Sequence, residues 1–248
     1  MKYALVNGDR QEAVKDLVGQ CQCCGNSTIA KCGDVRIWHW AHRGKCDPWK
    51  EGETEWHRAW KSQYPEECQE VVQYAADGEK HIADVKIEQG YVIEFQFSPI
   101  KQEERKARED FHRKMIWVVS GTRRLKDKDA FDEVWRWSAP LDGRKDLKSL
   151  LGPVSKSALL REWSDRSVPV FFDFGTEMLL GILPKTVQGR MHICSVERQK
   201  LIASLYPAPK VNDFDALMKD WANWIEKEEW YLRWLANGSP NMRRMRLH

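Results

Sequence analysis

Residues 81–99, HIADVKIEQGYVIEFQFSP, decide how the fold is interpreted, because apolar and polar side chains alternate on both sides of a turn. Period-two alternation of this kind is typical of a half-buried β-hairpin. The loop at 88–90 has the expected length of three residues, with Gly90 in the left-handed conformation that such loops favour. A hairpin centred on this loop places Asp84 directly opposite Glu94.

One face of this hairpin is apolar and the other is acidic. The apolar face, which we expect to lie in the core, comprises Ala83, Val85, Ile87, Tyr91, Ile93, Phe95 and Phe97. The other face carries Asp84, Glu94 and Gln96. Directly opposed residues have Cβ atoms about 4.5–5.5 Å apart, so two carboxylates there repel each other. A divalent cation such as Mg²⁺, which binds carboxylate oxygens, would relieve that repulsion; a solvated polar face is the alternative.

The composition describes an ordinary globular chain with little overall charge. It has 248 residues, 42% of them hydrophobic, and a net charge of +3. No signal peptide and no run of 18 apolar residues is visible, which predicts a cytoplasmic protein without membrane contact. Basic residues cluster between 99 and 126, where nine Lys/Arg accompany four Asp/Glu, and again in the tail at 241–248. Such segments suit a phosphate backbone, although a solvated helix face is the more common explanation.

The segment after residue 50 has the clearest secondary-structure pattern. ETEWHRAWKSQ predicts a helix, EVVQYA a strand ending at the turn Asp77–Gly78, and IKQEERKAREDFHRK, after the hairpin, a second helix to about Lys114. MIWVVSG then predicts a buried strand, parallel to its neighbour because a helix connects them. We therefore expect an α/β (α+β) fold with a mixed four-stranded sheet of αβββαβ order. The predicted domains are 1–50, 51–139 and 140–248.

Cysteine and histidine residues are concentrated before this segment, and five of the seven cysteines fall between residues 21 and 46. In a chain without an export signal, such a cluster favours a metal site over disulfides. The first choice of zinc ligands is Cys21, Cys24, His39 and His42, a spacing close to that of a zinc finger. Cys46 could replace one histidine, and Cys23 or Cys32 could replace one of the cysteines. A reduced, metal-free cluster is the alternative. This structural module could also present Trp38, Trp40 and Arg43 to DNA.

Five short strings, in one order along residues 21–120, carry a resemblance to known families. They are CQCCG, HWAH, ETEWHRAWK, HIADVK and IEFQFSPI, the last followed by ERKAR. The set resembles the CoiA-like competence proteins of the PD-(D/E)xK nuclease superfamily. The resemblance implies a Mg²⁺- or Mn²⁺-dependent deoxyribonuclease in DNA uptake, recombination or defence. It assigns catalytic roles to Glu55, Asp84, Glu94 and Gln96, the first three also holding the metal ion.

Gln96 stands where the superfamily motif has a lysine. Because Gln is uncharged, it can orient a water molecule but cannot stabilise negative charge as an ammonium would. Lys61 or Lys86 could supply the charge, although either could equally be an exposed lysine. Arg105 and Arg108, on the helix after the hairpin, are further candidates for contacts with nucleic acid.

His57 and His81 could assist proton transfer, although a structural hydrogen-bonding role is favoured for each. No catalytic pattern is visible in residues 140–248, where VPVFFDF, MLLGILP and RMHICSV predict strands and residues 213–235 predict a Trp-rich helix. This region could form a homo-oligomer interface. The alternative to a nuclease is a non-catalytic, zinc-containing DNA-binding protein that keeps the nuclease-like fold.

Overall fold

The computed structural model describes residues 1–42, 46–47, 49, 52–151, 157–184, 189–206 and 213–236. The chain has a mixed α+β fold and divides into two compact units. Unit 1 comprises Met1–Arg123 and Ser167–Phe172, and unit 2 comprises Arg124–Arg166 and Asp173–His248. The predicted boundaries after residues 50 and 139 do not coincide with the division between these units. Arg43 and the basic tail at 241–248 lie outside the described residues.

The described elements include fourteen strands and six helices. The strands are β1 Tyr3–Val6, β2 Asp9–Glu12, β3 Val18–Gln20, β4 Ser27–Lys31, β5 His39–His42, β6 Gln69–Tyr74, β7 Lys80–Lys86, β8 Val92–Gln96, β9 Met115–Ser120, β10 Ala139–Pro140, β11 Leu147–Ser149, β12 Val170–Asp173, β13 Met178–Ile182 and β14 His192–Glu197. The helices are α1 Glu55–Lys61, α2 Gln102–His112, α3 Asp127–Trp137, α4 Ala158–Glu162, α5 Arg198–Leu205 and α6 Phe214–Ala236.

The N-terminal module is a five-stranded antiparallel sheet in the order β2-β1-β3-β4-β5. The polar stretch after β1 forms β2 and β3. Its core is small and contains Ala4, Cys21 and Trp40, with Val72 and Ile82 from the second sheet packed against it. The module is thus fixed to the strands that carry the predicted acidic residues.

The second sheet of unit 1 runs β12-β9-β8-β7-β6, so it has five strands where the sequence predicts four. The additional strand is β12, which the sequence places in the C-terminal region; beside it, the Trp117 N–H donates to the Pro169 carbonyl at 3.0 Å. Strands β6, β7 and β8 are antiparallel, whereas β8 and β9 are parallel, as the helical connection predicts. The pairing of β12 with β9 joins distant parts of the chain and leaves no local signal in the sequence.

The hairpin of β7 and β8 has the predicted register. Val85 pairs with Ile93, and the Ile87 N–H donates to the Tyr91 carbonyl at 3.0 Å. Gly90 has a φ of +83°, the left-handed conformation that the loop requires. Most of the predicted apolar face is confirmed as core. Five of its seven residues are buried, namely Ala83, Val85, Ile87, Ile93 and Phe95, and Tyr91 and Phe97 are partly buried.

Unit 2 contains four antiparallel strands in the order β10-β11-β14-β13 and helices α3 to α6. The predicted Trp-rich helix is confirmed as α6. It buries Trp221 and Ile225 and leaves Trp230 and Trp234 exposed. Within the described residues, no helix combines the length and the apolar character that crossing a membrane requires.

Candidate carboxylate cavity and candidate metal centre

Three neighbouring strands of unit 1 carry an acidic residue at the same row of the sheet. The pairs Gln69–Val85 and Val71–Ala83 place Glu70 of β6 opposite Asp84 of β7. The register of β7 and β8 places Glu94 on the other side of Asp84. Carboxylates this close in a sheet repel one another, so the row needs compensating groups.

The regular backbone pairing of β7 and β8 stops at this row. The Asp84 N–H donates to Glu94 Oε1 at 3.2 Å, and the Phe95 N–H donates to Asp84 Oδ2 at 3.0 Å. The two carboxylates thus accept the hydrogen bonds that backbone carbonyls accept elsewhere in the ladder. Glu70 has a φ of +48°, which is uncommon for a residue with a side chain and marks an irregularity in β6 at the same height.

A small cavity lies over this row of acids. It holds about 50 Å³ accessible to a water-sized molecule, more than the roughly 10–15 Å³ that one water needs by this measure. Its lining residues are Asp47, Trp49, Glu53, His57, Lys61, Glu70, Ile82, Asp84, Glu94, Phe95, Arg108 and His112. We call this the carboxylate cavity. Its five carboxylates outnumber its two fixed cations, Lys61 and Arg108, by three.

Lys61 is buried among three of these carboxylates. Its Nζ lies 2.6 Å from Glu53 Oε1, 3.2 Å from Glu70 Oε1 and 3.6 Å from Asp84 Oδ1. Burial alone would lower the pKa of Lys61, but the three carboxylates raise it by more than burial lowers it. The pKa is therefore above its usual value and the ammonium stays charged. Burial likewise raises the pKa of Glu53, yet the ammonium of Lys61 brings it below its usual value. Of the two lysines considered from the sequence, Lys61 is therefore the one that lies in the cavity.

Glu94 is buried in the cavity beside a second acid, Asp84. Burial, together with the negative charge of Asp84, raises its pKa to about 8 although Arg108 Nη1 lies 3.2 Å from Oε2. His112 Nε2 lies 3.8 Å from Oε1. Burial and the charges of His81 and Arg108 lower the pKa of His112 to about 4, so this imidazole is neutral near pH 7.

Glu53 and Glu55, two acids at the start of α1, lie in different places in the structure. The structure does not bring Glu55 to the cavity described above; this residue is exposed and lines a different depression. Glu53 lines the cavity instead; it directly precedes Thr54, the N-cap of α1, whose backbone is extended. The His57 side chain closes a capping box with Thr54, because its Nδ1 accepts a hydrogen bond from the Thr54 N–H at 3.2 Å. His57 thus has a structural bond at one ring nitrogen while it lines the cavity.

Three other predicted site residues lie outside the cavity lining. Gln96 is buried, its Nε2 donates to the Ser98 carbonyl at 2.9 Å, and its Oε1 has no hydrogen-bond partner among the described residues. Lys86 binds Gln73 on the neighbouring strand. Arg105 is a correction to the predicted nucleic-acid contacts, because it is 1% exposed and forms a 3.0 Å ion pair with Glu109 one helical turn away.

His81 has a structural position at the edge of the cavity. Its Nδ1 lies 2.8 Å from Asp47 Oδ1 and its Nε2 lies 2.9 Å from Glu79 Oε1, so both ring nitrogens have partners. Trp49 stacks on the imidazole with ring centroids 3.2 Å apart. The backbone carbonyl of Trp49 accepts a hydrogen bond from Arg108 Nη2.

A second group of side chains, Cys21, Cys24, His42 and Cys46, could hold a metal ion such as zinc. Their ligand atoms all lie within 4.8 Å of one another, and the Sγ atoms of Cys21 and Cys46 are 3.6 Å apart. A tetrahedral zinc ion separates its ligand atoms by roughly 3.4–3.8 Å, so the group has the right number, type and spacing of donors. Burial and the neighbouring cysteine sulfurs raise the pKa of Cys46, a cost that a bound cation would remove.

Cys46 takes the place that the sequence gives first to His39. HWAH is strand β5, in which residues three apart face opposite sides of the sheet. His42 therefore faces the cysteines, while His39 Nδ1 lies 2.9 Å from the Ile37 carbonyl. Trp40 is a further correction, because it is 1% exposed in the core of the module and cannot contact DNA, whereas Trp38 is exposed.

Comparison with models of known families, with curated proteins and with solved structures returned no match for this chain. The CoiA-like and PD-(D/E)xK resemblance accordingly stays a prediction from the short strings. What can be said of the two sites comes from their own geometry.

Sequence reasoning missed five residues of the cavity lining that carry polar or aromatic groups: Asp47, Trp49, Glu53, Glu70 and His112. A signal for Glu70 was present, since centring the preceding hairpin on Asp77 places residue 70 opposite residue 84. For Asp47 and Trp49 no comparable signal exists, because their contacts are made with residues about 30 or more positions later.

Proposed function

We propose that this protein is a nuclease that hydrolyses DNA phosphodiester bonds with the help of a divalent cation, Mg²⁺ or Mn²⁺. The observation that carries the proposal is the row of Glu70, Asp84 and Glu94 across three strands, beneath a cavity in which carboxylates exceed fixed cations by three. Two opposed acids alone are common on protein surfaces. Keeping so many buried acids ionised is costly unless a cation compensates them, and without one an acid such as Glu94 holds its proton.

The donor set suits a hard divalent cation. Asp84 and Glu94 would hold it, with Glu53 as a further oxygen donor; Glu53 replaces Glu55 in the assignment. The raised pKa of Glu94 is consistent with this, because burial and the neighbouring Asp84 carboxylate disfavour its negative charge more than Arg108 favours it, and a bound cation would favour that charge. When bound, such an ion supplies Lewis-acid activation of a water molecule and neutralises charge on the scissile phosphate.

The side chains around the donors have separate tasks in this proposal. The Lys61 ammonium, fixed by Glu53 and Glu70, faces Asp84 and can bind a phosphate oxygen there. It takes the role that the motif lysine has in the superfamily, while Gln96 fixes the backbone at Ser98. A cation bound by Glu94 would favour the ionised form of this carboxyl, and the neutral His112, with Nε2 3.8 Å from Glu94 Oε1, would add no positive charge that competes with the cation.

The test is cleavage of supercoiled and linear plasmid DNA with Mg²⁺, Mn²⁺ or no divalent ion. We expect metal-dependent cutting by the wild type, and a loss of at least about 100-fold in folded Asp84→Asn and Glu94→Gln proteins. Asp77→Asn is the matched control, because the Asp77 carboxylate lies in an exposed turn and its one hydrogen bond within the described part of the chain is from the Glu79 N–H. Unchanged cutting by the two cavity variants would refute the proposal.

A non-catalytic DNA-binding protein is the second candidate, and one observation favours it. Lys61 already neutralises part of the charge of three carboxylates, which reduces the need for a metal ion. Retained DNA binding by the wild-type protein without cutting under any metal condition would select this candidate. Fluorescence anisotropy with a labelled duplex and a labelled single strand would measure the binding.

A further inference from the structure

Two segments that carry ligands of the Cys/His metal centre, the turn at Cys21–Cys24 and the residues at Cys46–Asp47, contact the start of β7. Between them they contact three consecutive residues, Lys80, His81 and Ile82. Lys80 Nζ donates to the carbonyl of Cys23 at 2.6 Å, within the turn that contains two of the cysteine ligands. The Asp47 carboxylate, directly after Cys46, binds His81 Nδ1 and the Ile82 N–H, each at 2.8 Å. Strand β7 is the strand that carries Asp84 into the carboxylate cavity two residues later.

Asp47 is the closest link between the two sites. It is 4% exposed at the side chain, lies next to a metal ligand in the chain and itself lines the carboxylate cavity. Its Oδ1 also accepts a hydrogen bond from the Trp49 N–H at 3.0 Å. One buried carboxylate therefore binds three partners, which fixes Asp47 and Trp49 against the sheet.

Trp49 extends the link to the acidic row. Its ring stacks on His81, and its carbonyl accepts a hydrogen bond from Arg108 Nη2. Nη1 of the same guanidinium lies 3.2 Å from Glu94 Oε2. A continuous series of contacts thus connects Cys46, through Asp47, Trp49 and Arg108, to Glu94.

We propose that metal binding at Cys21, Cys24, His42 and Cys46 sets the geometry of the carboxylate cavity, with Asp47 and Trp49 as positioning residues. Without the metal ion, the Cys46 thiol is no longer held to the module. Asp47 and Trp49 then lose their fixed place, and Arg108 loses a backbone acceptor. This inference concerns geometry alone and does not depend on whether the cavity cuts DNA.

The experiment is ¹⁹F NMR of the full chain labelled with 5-fluorotryptophan, in which Trp49→Phe identifies the Trp49 resonance. The sample is stripped of metal with a chelator, dialysed and titrated with Zn²⁺. We expect the Trp49 resonance to change position and sharpen as one equivalent of Zn²⁺ binds. Resonances of tryptophans in unit 2, such as Trp163 and Trp221, serve as an internal control and should stay in place.

Asp47→Ala separates positioning from metal binding. This variant keeps all four ligands, so we expect wild-type zinc content together with a Trp49 resonance at the position of the zinc-free protein. Asp77→Ala is the matched control and should behave as the wild type. If Asp47→Ala does not fold, Asp47→Asn, which keeps the acceptor at Oδ1 and loses the one at Oδ2, is the second variant.

Two results would overturn the inference. One is a Trp49 resonance that stays in place in folded protein when zinc is removed or Asp47 is replaced. The other is loss of all dispersed resonances on zinc removal, which would reduce the metal ion to a general requirement for folding. Neither NMR measurement uses DNA, so a protein without nuclease activity would still test this inference. Failure of the nuclease proposal can therefore be distinguished from failure of this inference.

Discussion

Lys61 Nζ and Asp84 Oδ1 face each other at 3.6 Å inside the carboxylate cavity, and the same ammonium is within 3.2 Å of Glu53 and Glu70. One ammonium group therefore forms ion pairs with Glu53, which precedes α1, and with Glu70 and Asp84, which lie on two neighbouring strands. This arrangement makes Lys61 central to the stability of unit 1 as well as to the proposed chemistry.

Replacing Lys61 by Met should destabilise unit 1 by about 3–5 kcal/mol, because the buried carboxylates lose their shared counter-ion. Urea denaturation followed by circular dichroism measures the change. Lys86→Met is the matched control and should cost much less, since Lys86 binds Gln73 outside the cavity lining. If a divalent ion binds these acids, millimolar Mg²⁺ should stabilise Lys61→Met more than the wild type. Equal stabilities of the two variants would contradict this account.

The pH dependence of stability should report the proton on Glu94. Its pKa is about 8 in the folded protein, against an ordinary value of 4.5, so between these values the folded state holds a proton that the unfolded state has lost. Stability from this group is therefore full below pH 4.5 and is lost as the pH rises towards 8.

Glu94→Gln removes this titration. Without added divalent ions, the free energy of unfolding of the wild type should fall relative to Glu94→Gln between pH 5 and 8, by up to about 1.4 kcal/mol per pH unit. Urea titrations of both proteins at four pH values would measure the difference. Parallel curves would mean that Glu94 is ionised throughout this range.

Glu53 and Glu55 form a matched pair for testing the assignment of the third acid. If the protein cuts DNA, Glu53→Gln should lower the rate by about 10–100-fold, as expected for loss of a supporting carboxylate at a metal site. Glu55→Gln should leave the rate within about twofold, because its side chain is exposed and away from the cavity lining. The reverse order of effects would restore the assignment that the family resemblance implies.

Zinc content should distinguish Cys46 from His39. Cys46→Ser should weaken zinc binding by at least about 100-fold, since loss of an outer partner alone costs 10–100-fold. His39→Ala should retain one zinc per chain, because its ring faces away from the cysteines on the other side of β5. Competition with a chromophoric chelator measures both affinities, and zinc loss in His39→Ala alone would show that the predicted ligand was right.

Local periodicity was enough to predict the hairpin of β7 and β8, its register, and the parallel position of β9. The same reasoning failed where the decisive information is not local. The spacing of HWAH suggested that both histidines are zinc ligands, but HWAH forms a strand paired with β4, and the alternation of side chains along that strand decides which histidine meets the cysteines. Periodicity also could not show that Glu53 lines the cavity, since this residue lies before the N-cap of α1, outside any element with a regular side-chain repeat.

Glu70 has a further consequence, for the order in which the cavity assembles. Its carboxylate accepts hydrogen bonds from the N–H groups of Lys2 and Tyr3, which are 68 and 67 residues away in the chain. The contacts between β7 and β8 at the same row span only 10 and 11 residues. Closing the longer loop costs more entropy and is slower, so we expect the row of Glu70, Asp84 and Glu94, whose neighbours are 14 and 10 residues apart, to form before Lys2 and Tyr3 reach Glu70. The Glu70 carboxylate therefore gains its backbone donors late in folding, and Glu70→Gln should raise the unfolding rate more than it lowers the folding rate.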